Sequence, residues 1–88
     1  METQFRSSFV RDLDRLSEKS LKQRIKAVIA EVENAASLRD IANLKKLQGG
    51  QDYYRIRVGD YRIGLVCQQG KVTFVRCLHR RDIYRFLP

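Results

Sequence analysis

Three arginines, Arg55, Arg57 and Arg62, alternate with apolar side chains in the stretch Tyr-Arg-Ile-Arg-Val-Gly-Asp-Tyr-Arg. Successive side chains of a strand point to opposite faces, and a two-residue hairpin turn at Gly59-Asp60 sets Arg57 directly opposite Arg62. Like charges at such a pair destabilise a sheet, so stability of the fold does not explain them. A guanidinium can, however, donate hydrogen bonds to two phosphate oxygens at once. The pattern predicts that these residues form an anion-binding surface, the arginine face. The alternative is a solvated face whose arginines splay apart or pair with carboxylates from elsewhere.

A third strand would bring the one histidine of the chain to the same face. A two-residue turn at Gln69-Gly70 adds four residues to the arginine face: Thr73, Val75, Cys77 and His79. Histidine changes its charge near neutral pH, so His79 is a candidate general base; the alternative is a structural histidine. The same register leaves Arg76 on the apolar face as a misfit. Gly64, in mid-strand, indicates the close approach of a ligand.

Composition restricts the class of protein. The 88 residues carry 18 Lys+Arg against 10 Asp+Glu, a net charge of +8, of which residues 49–88 hold +5. Twelve of the cations are arginines, which favours nucleic acid over a membrane surface or an acidic protein as the partner. We expect one globular domain over residues 1–88, without a signal peptide or transmembrane span and therefore cytoplasmic. With two cysteines and no zinc-site spacing, we expect no metal, cofactor or disulfide.

The hydrophobic period changes near the middle of the chain. Apolar residues at steps of three and four between residues 8 and 35 predict two amphipathic helices in an antiparallel hairpin. Ser17 or Ser20 is expected to cap the second helix, because Ser20 to Gln23 has a capping-box pattern. Thr3 to Phe5 is expected to form a short edge strand. Residues 36–52 are interpreted as a connector that ends at Gly49-Gly50.

Three runs rich in β-branched and aromatic residues follow: Tyr53–Val58, Tyr61–Gln68 and Lys71–His79. They predict an antiparallel meander, and the fold class is α+β, with an N-terminal helical hairpin packed on a mostly antiparallel sheet. Tyr54 and Tyr61 fall on the apolar face and are assigned to the core. A short, basic and aromatic tail, Arg80–Pro88, ends the chain.

Three motifs in this order resemble the RelE/ParE superfamily of type II toxins. They are Leu-Lys-Lys-Leu-Gln-Gly from Leu44, Tyr-Arg-Ile-Arg-Val-Gly-Asp-Tyr-Arg from Tyr54, and His-Arg-Arg-Asp-Ile-Tyr-Arg from His79. The resemblance covers the chain end to end and implies a helical hairpin on a sheet. For the RelE branch it also implies cleavage of messenger RNA in the ribosomal A site, and inhibition by an antitoxin.

The resemblance also implies roles for particular residues. The functional positions of the family fall on Arg55, Arg57, Arg62, Arg80 (or its neighbour Arg81) and Tyr84. The best-known members have lysines at the first two positions, and one of these lysines is discussed as a proton-transfer group. Arginine keeps its proton at neutral pH, so the proton acceptor would have to be His79, Tyr84, Asp82 or a group of the ribosome.

Cleavage of this kind is an attack of the 2′-hydroxyl on the adjacent phosphorus. Arg57, Arg62 and Arg80 are suited to stabilise the charged phosphorane. Tyr53 and Tyr84 are candidates for stacking on bases, although Tyr53 could simply cover the sheet. Lys45 and Lys46 are candidates for general attraction to phosphates, or else solvated side chains.

The sequence therefore predicts a toxin that cuts mRNA on the ribosome and is neutralised by an acidic antitoxin. One alternative is a ParE-like toxin that poisons DNA gyrase, which needs no proton acceptor. The others are a basic nucleic-acid-binding module without catalysis and a degenerate toxin that retains only antitoxin binding.

Overall fold

A computed structural model describes residues 1–49 and 52–87. These residues form two helices, five strands and two short 3-10 turns, Leu38–Asp40 and Ile83–Arg85. The elements are β1 (Glu2–Phe5), α1 (Ser7–Asp14), α2 (Lys19–Asn34), β2 (Leu44–Lys46), β3 (Tyr53–Val58), β4 (Tyr61–Gln68) and β5 (Lys71–His79). Gly50, at the end of the predicted connector, and Pro88, at the end of the predicted tail, lie outside the described residues.

The five strands form one sheet in the order β1-β5-β4-β3-β2. β1 runs parallel to β5, and the other neighbours are antiparallel. The predicted α+β class, the three strands of the meander and the N-terminal edge strand are confirmed. β2 was not predicted, because a three-residue strand is too short to show a period of its own.

The helices bury their apolar stripes on one face of the sheet. The core there includes Phe9 of α1, Ile25 of α2, and Ile56 and Ile63 of the central strands, all buried. The predicted cap of α2 is wrong: the helix begins after Glu18, and no side chain caps it. Ser20 instead lies in the first turn and donates to the Glu18 carboxylate (2.8 Å). No helix in the described part of the chain is long and apolar enough to span a membrane.

The hairpin of β3 and β4 has the predicted register. Arg57 pairs with Arg62, and Arg55 pairs with Gly64. Gly59 has a φ of 58°, the left-handed value that the first position of this turn requires. Three arginines therefore share the face of the sheet opposite the helices.

The hairpin of β4 and β5 departs from the prediction at a bulge. Its turn pairs Gln68 with Lys71 as expected, but Leu65 pairs with Phe74 while Gly64 pairs with Arg76. Val75 is the extra residue, and beyond it the alternation of faces is reversed.

The reversal corrects three predicted positions. Cys77 and His79 lie on the helix face, opposite Ile63 and Tyr61 respectively, and Arg76 faces the side of the arginines. Cys67 and Cys77 are both buried free thiols, and burial raises the pKa of Cys67 to about 11 and that of Cys77 to about 12.

Contacts with α1 hold the bulge. β1 ends beside Phe74, and α1 then lies along the edge of β5. The Ser8 hydroxyl donates to the carbonyl of Val75 (2.6 Å), and the Asp12 carboxylate accepts the backbone N–H of Cys77 (2.9 Å). Asp12 also accepts two hydrogen bonds from the Arg76 guanidinium (2.8 and 3.1 Å). Side chains of α1 therefore supply hydrogen-bond partners to the backbone groups of Val75 and Cys77 at this edge of β5.

Asp12→Ala should lower the free energy of unfolding by about 1.5–3 kcal/mol, because it leaves a backbone N–H and a half-buried guanidinium without their acceptor. Urea denaturation measures the change. Asp14→Ala removes the same charge from an exposed position of the same helix and should change the free energy by less than about 0.5 kcal/mol. Equal losses in the two variants would contradict the role of Asp12.

Candidate functional site

The three arginines of β3 and β4 share their face of the sheet with a lysine of β2. Arg55, Arg57 and Arg62 lie there by the register of β3 and β4. Lys45 of β2 pairs with Arg55 and so lies on the same face. Lys46 pairs with Tyr54 on the helix side and is exposed. Of the two predicted lysines, Lys45 belongs to this face and Lys46 does not.

Backbone carbonyls fix two of the guanidinium groups. Nη1 of Arg62 donates to the carbonyl oxygens of Gly59 (2.8 Å) and Tyr61 (2.9 Å). Nη1 of Arg55 donates to the carbonyl of Asn43 (3.0 Å), whereas its buried Nε has no hydrogen-bond partner among the described residues. Within residues 1–49 and 52–87, these side chains are therefore held in place by backbone carbonyls and not by a carboxylate.

The pKa of Arg62 is lowered by burial and by the charges around it. Burial lowers the pKa of its guanidinium below the ordinary value, and the positive charge of Arg55 is the next cause. Arg57 and Arg80 lower this pKa further, whereas Tyr84 raises it. The geometry agrees: Arg57 lies directly opposite Arg62, and the tail begins beside the turn at Asp60, so β3, β4 and the tail all contribute to the surface around Arg62.

The tail reaches this site by packing across the sheet. The backbone N–H of Arg80 donates to the carbonyl of Asp60 (2.8 Å), which fixes the start of the tail. Ile83 and Leu87 are buried in a second apolar cluster with Leu47 and Val75, while Tyr84 between them is 54% exposed. Tyr84 is therefore presented to solvent beside the arginines.

Gly64 makes room for the tail rather than for a ligand. A Cβ at Gly64 would overlap Cδ1 of Leu87, so the predicted ligand approach at this glycine is wrong. Tyr53 is half-buried and packs against the same cluster, so it covers the sheet with part of its ring.

His79 lies away from the arginine face. Its ring meets Tyr61 edge-on at 5.6 Å between centroids. Its Nδ1 accepts the backbone N–H of Arg81 (3.1 Å) and Nε of the same residue (3.5 Å). Arg81 is thereby engaged with His79, whereas the positive charge of Arg80 contributes to the lowered pKa of Arg62.

The comparisons with known proteins agree with this architecture. Residues 4–84 match the family described as the ParE toxin of the type II toxin-antitoxin system parDE. The chain belongs to the RelE/ParE superfamily of type II toxins. The family predicted from the three motifs is confirmed.

Similar proteins connect this toxin with the RelE kind. It is 42% identical over 89 residues to toxin RelE3 of Methanocaldococcus jannaschii, with all of both chains covered. The structure resembles the RelB-RelE antitoxin-toxin complex from Methanococcus jannaschii with a TM-score of 0.81 at 40% identity, covering 97% of this chain and 99% of the other. The archaeal RelE-RelB complex from Pyrococcus horikoshii has the same fold, with a TM-score of 0.72 at 23% identity over 90% of the toxin and 93% of that chain.

Gly64→Ala should destabilise the toxin by about 1–3 kcal/mol, since the added methyl group collides with Leu87. In a Leu87→Ala background the same change should cost less by about 0.5–3 kcal/mol, because the colliding atoms are gone. Chemical denaturation of the four proteins measures both costs. An equal cost of Gly64→Ala in the two backgrounds would show that Leu87 does not occupy this space.

Proposed function

We propose that this toxin is a metal-independent endoribonuclease that cuts messenger RNA on the ribosome. The observation that carries the proposal is the cross-strand pairing of Arg57 with Arg62, next to Arg55 and close to the start of the tail at Arg80, with Tyr84 exposed on the same side of the sheet. Phosphates are the ligands that such a group of guanidiniums fits best. The likeness to toxin RelE3 and to the RelE of the RelB-RelE complex supports the same conclusion.

The proposed reaction is an attack of the 2′ oxygen on the neighbouring phosphorus. The bond from phosphorus to the 5′ oxygen breaks, which leaves a 2′,3′-cyclic phosphate and a 5′-hydroxyl. The nucleophile is part of the substrate, so the protein must orient it and stabilise the extra charge of the phosphorane. Arg62 is fixed for this role by its bonds to two carbonyls, and Arg57 and Arg80 lie beside it.

The remaining groups of the site bind and orient the message. Tyr84 is exposed and stacks on a base, a contact worth about 1–3 kcal/mol. Tyr53 offers a smaller part of its ring in the same way. Lys45, beside Arg55, extends the positive surface along the RNA backbone, whereas Lys46 and Arg81 contribute general attraction to phosphates.

Proton transfer does not use His79 in this proposal. The imidazole is on the helix face, and its Nδ1 is occupied by Arg81. The proton of the 2′-hydroxyl passes instead to a group of the ribosome. A proton from the Tyr84 phenol or from water goes to the 5′ oxygen as its bond to phosphorus breaks, and the described arginines supply charge stabilisation.

An antitoxin is the second proposed partner. Similar toxins have been solved in complex with RelB, and a protein with a net charge of +8 is complementary to an acidic polypeptide. We propose that an acidic antitoxin covers the arginine face when the toxin is idle, and that both act in the cytoplasm, where the ribosome is.

A second candidate function is poisoning of DNA gyrase, as by a ParE toxin. The observation that favours it is the position of His79, because the described arginine face then has no imidazole to accept a proton. A gyrase poison needs none. Induction of a gyrase poison would trigger a DNA-damage response and leave messages intact.

Arg62→Ala should lower the rate of mRNA cleavage by about 10²–10³-fold, the usual loss when one transition-state donor is removed. It should also make the slope of the logarithm of the binding constant against the logarithm of the salt concentration less steep by about 0.7, the contribution of one phosphate contact on a single strand. Cleavage of mRNA in programmed ribosomes and binding titrations at several salt concentrations measure the two effects.

Lys26→Ala is the matched control, because Lys26 is exposed on α2 in the helical layer. It removes one positive charge and should leave cleavage unchanged. Intact messages during growth arrest by the wild-type toxin would contradict the ribonuclease. Messages cut with new 5′-hydroxyl ends would support it.

His79→Asn should lower cleavage by less than about tenfold, since the side-chain carbonyl of asparagine can replace Nδ1 as the acceptor for Arg81. Loss of a general base would cost about 10²–10⁴-fold. The pH dependence of single-turnover cleavage between pH 5 and 8 separates the two possibilities. An acidic limb that is present in the wild type and lost in His79→Asn would identify His79 as the base.

A further inference from the structure

Arg76 is a cation that the arginine face does not use. Its Nε and Nη2 both donate to Asp12, at 2.8 and 3.1 Å, and Asp12 is 5% exposed. A guanidinium engaged in this bidentate way is neutralised and has lost the paired donors with which it would grip a phosphate. Arg76 therefore has a different role from Arg62.

The face of the Arg76 guanidinium carries an aromatic ring of the tail. Its Cζ lies 4.2 Å from the centroid of Phe86, which is the geometry of a cation–π contact. Phe86 is itself 54% exposed, so burial alone does not explain where the ring lies. The contact connects α1, the bulge of β5 and the tail through Asp12, Arg76 and Phe86; we call these three residues the Arg76 bridge.

The Arg76 bridge anchors the tail at Phe86, two residues after Tyr84. Ile83 is buried just before Tyr84, and Phe86 and Leu87 are held just after it. The turn between these anchors is closed by the backbone bonds Arg85 N–H to Asp82 O (3.1 Å) and Leu87 N–H to Ile83 O (3.2 Å). With both flanks held, the backbone at Tyr84 is fixed on the side of the sheet that carries Arg62.

We propose that Arg76 is a positioning residue, which through Phe86 holds Tyr84 over the arginine face. The inference rests on the proposed function, in which Tyr84 stacks on the message. A substrate-orienting group that shifts by about 1 Å can lower a rate about 10²-fold. The pair of Asp12 and Arg76 thus acts on RNA without touching it.

Phe86→Leu tests the proposal most directly, because it removes the aromatic face and leaves the bonds between Asp12 and Arg76 intact. The kcat for cleavage of ribosome-bound mRNA should fall about tenfold or more, with little change in KM. Arg76→Lys, which keeps the charge but loses the planar fork, should lower kcat in the same direction. In a Tyr84→Ala background, Phe86→Leu should cause no further loss, because the residue that it positions is already absent.

Phe5→Leu is the matched control. Phe5 is also a partly exposed phenylalanine (43%), and it stacks on Phe74 at 5.0 Å at the β1 edge. It should lower the melting temperature without lowering kcat at a temperature where the protein is folded. Equal kcat losses in Phe5→Leu and Phe86→Leu would overturn the positioning role, as would a full additional loss in the Tyr84→Ala background.

Amide hydrogen exchange separates failure of the inference from failure of the proposed function. Phe86→Leu should increase exchange at the amides of Arg85 and Leu87 about tenfold or more and leave that of Cys77 unchanged. Unchanged exchange in the tail overturns the positioning role even if the toxin cuts RNA. A wild-type toxin that cuts no message overturns the proposed function, and the exchange measurement then still decides whether Phe86 holds the tail.

Discussion

The carboxylate of Asp12 accepts three donors at the point where β5 changes register. A one-residue bulge exchanges the two faces of every later residue in the strand, so this contact determines what each side of the sheet presents. With the bulge, Cys77 enters the main core and His79 turns toward Tyr61. Arg76 crosses to the side of the tail. The helix layer, the sheet and the site therefore meet at one buried anion.

The face of the sheet opposite the helices carries several positive charges, and their mutual repulsion opposes folding. Arg57 and Arg62 face each other across two strands, at a cost that nearby carboxylates could have offset. In the part of the chain that the structure describes, backbone carbonyl groups orient Arg62 and Arg55 instead, and a carbonyl does not cancel the positive charge. Side chains held in this way have already lost part of their conformational freedom, which lowers the cost of the anion binding that we propose.

The parts of the fold that depend on local chemistry could be predicted from the sequence. The turn at Gly59-Asp60 determines the pairing of Arg57 with Arg62, and the change of period separates the helices from the meander. The bulge could not be predicted, because it depends on a contact between α1 and β5, which are distant in sequence. The misfit of Arg76 on the apolar face was the signal of an error in the register. The face on which Lys45 lies could not be predicted, because β2 is too short to recognise from the sequence. The role of Gly64 could not be predicted either, because it depends on the path of the tail across the sheet.

The two outer strands of the sheet are unusually short, four residues in β1 and three in β2, and α1 covers the part of β5 that β1 leaves free. An unpaired strand edge is a template for joining the sheets of separate molecules, and long flat edges lead to aggregation. This sheet offers little such template at either side. The short outer strands therefore protect this toxin from pairing edge to edge with other copies of itself.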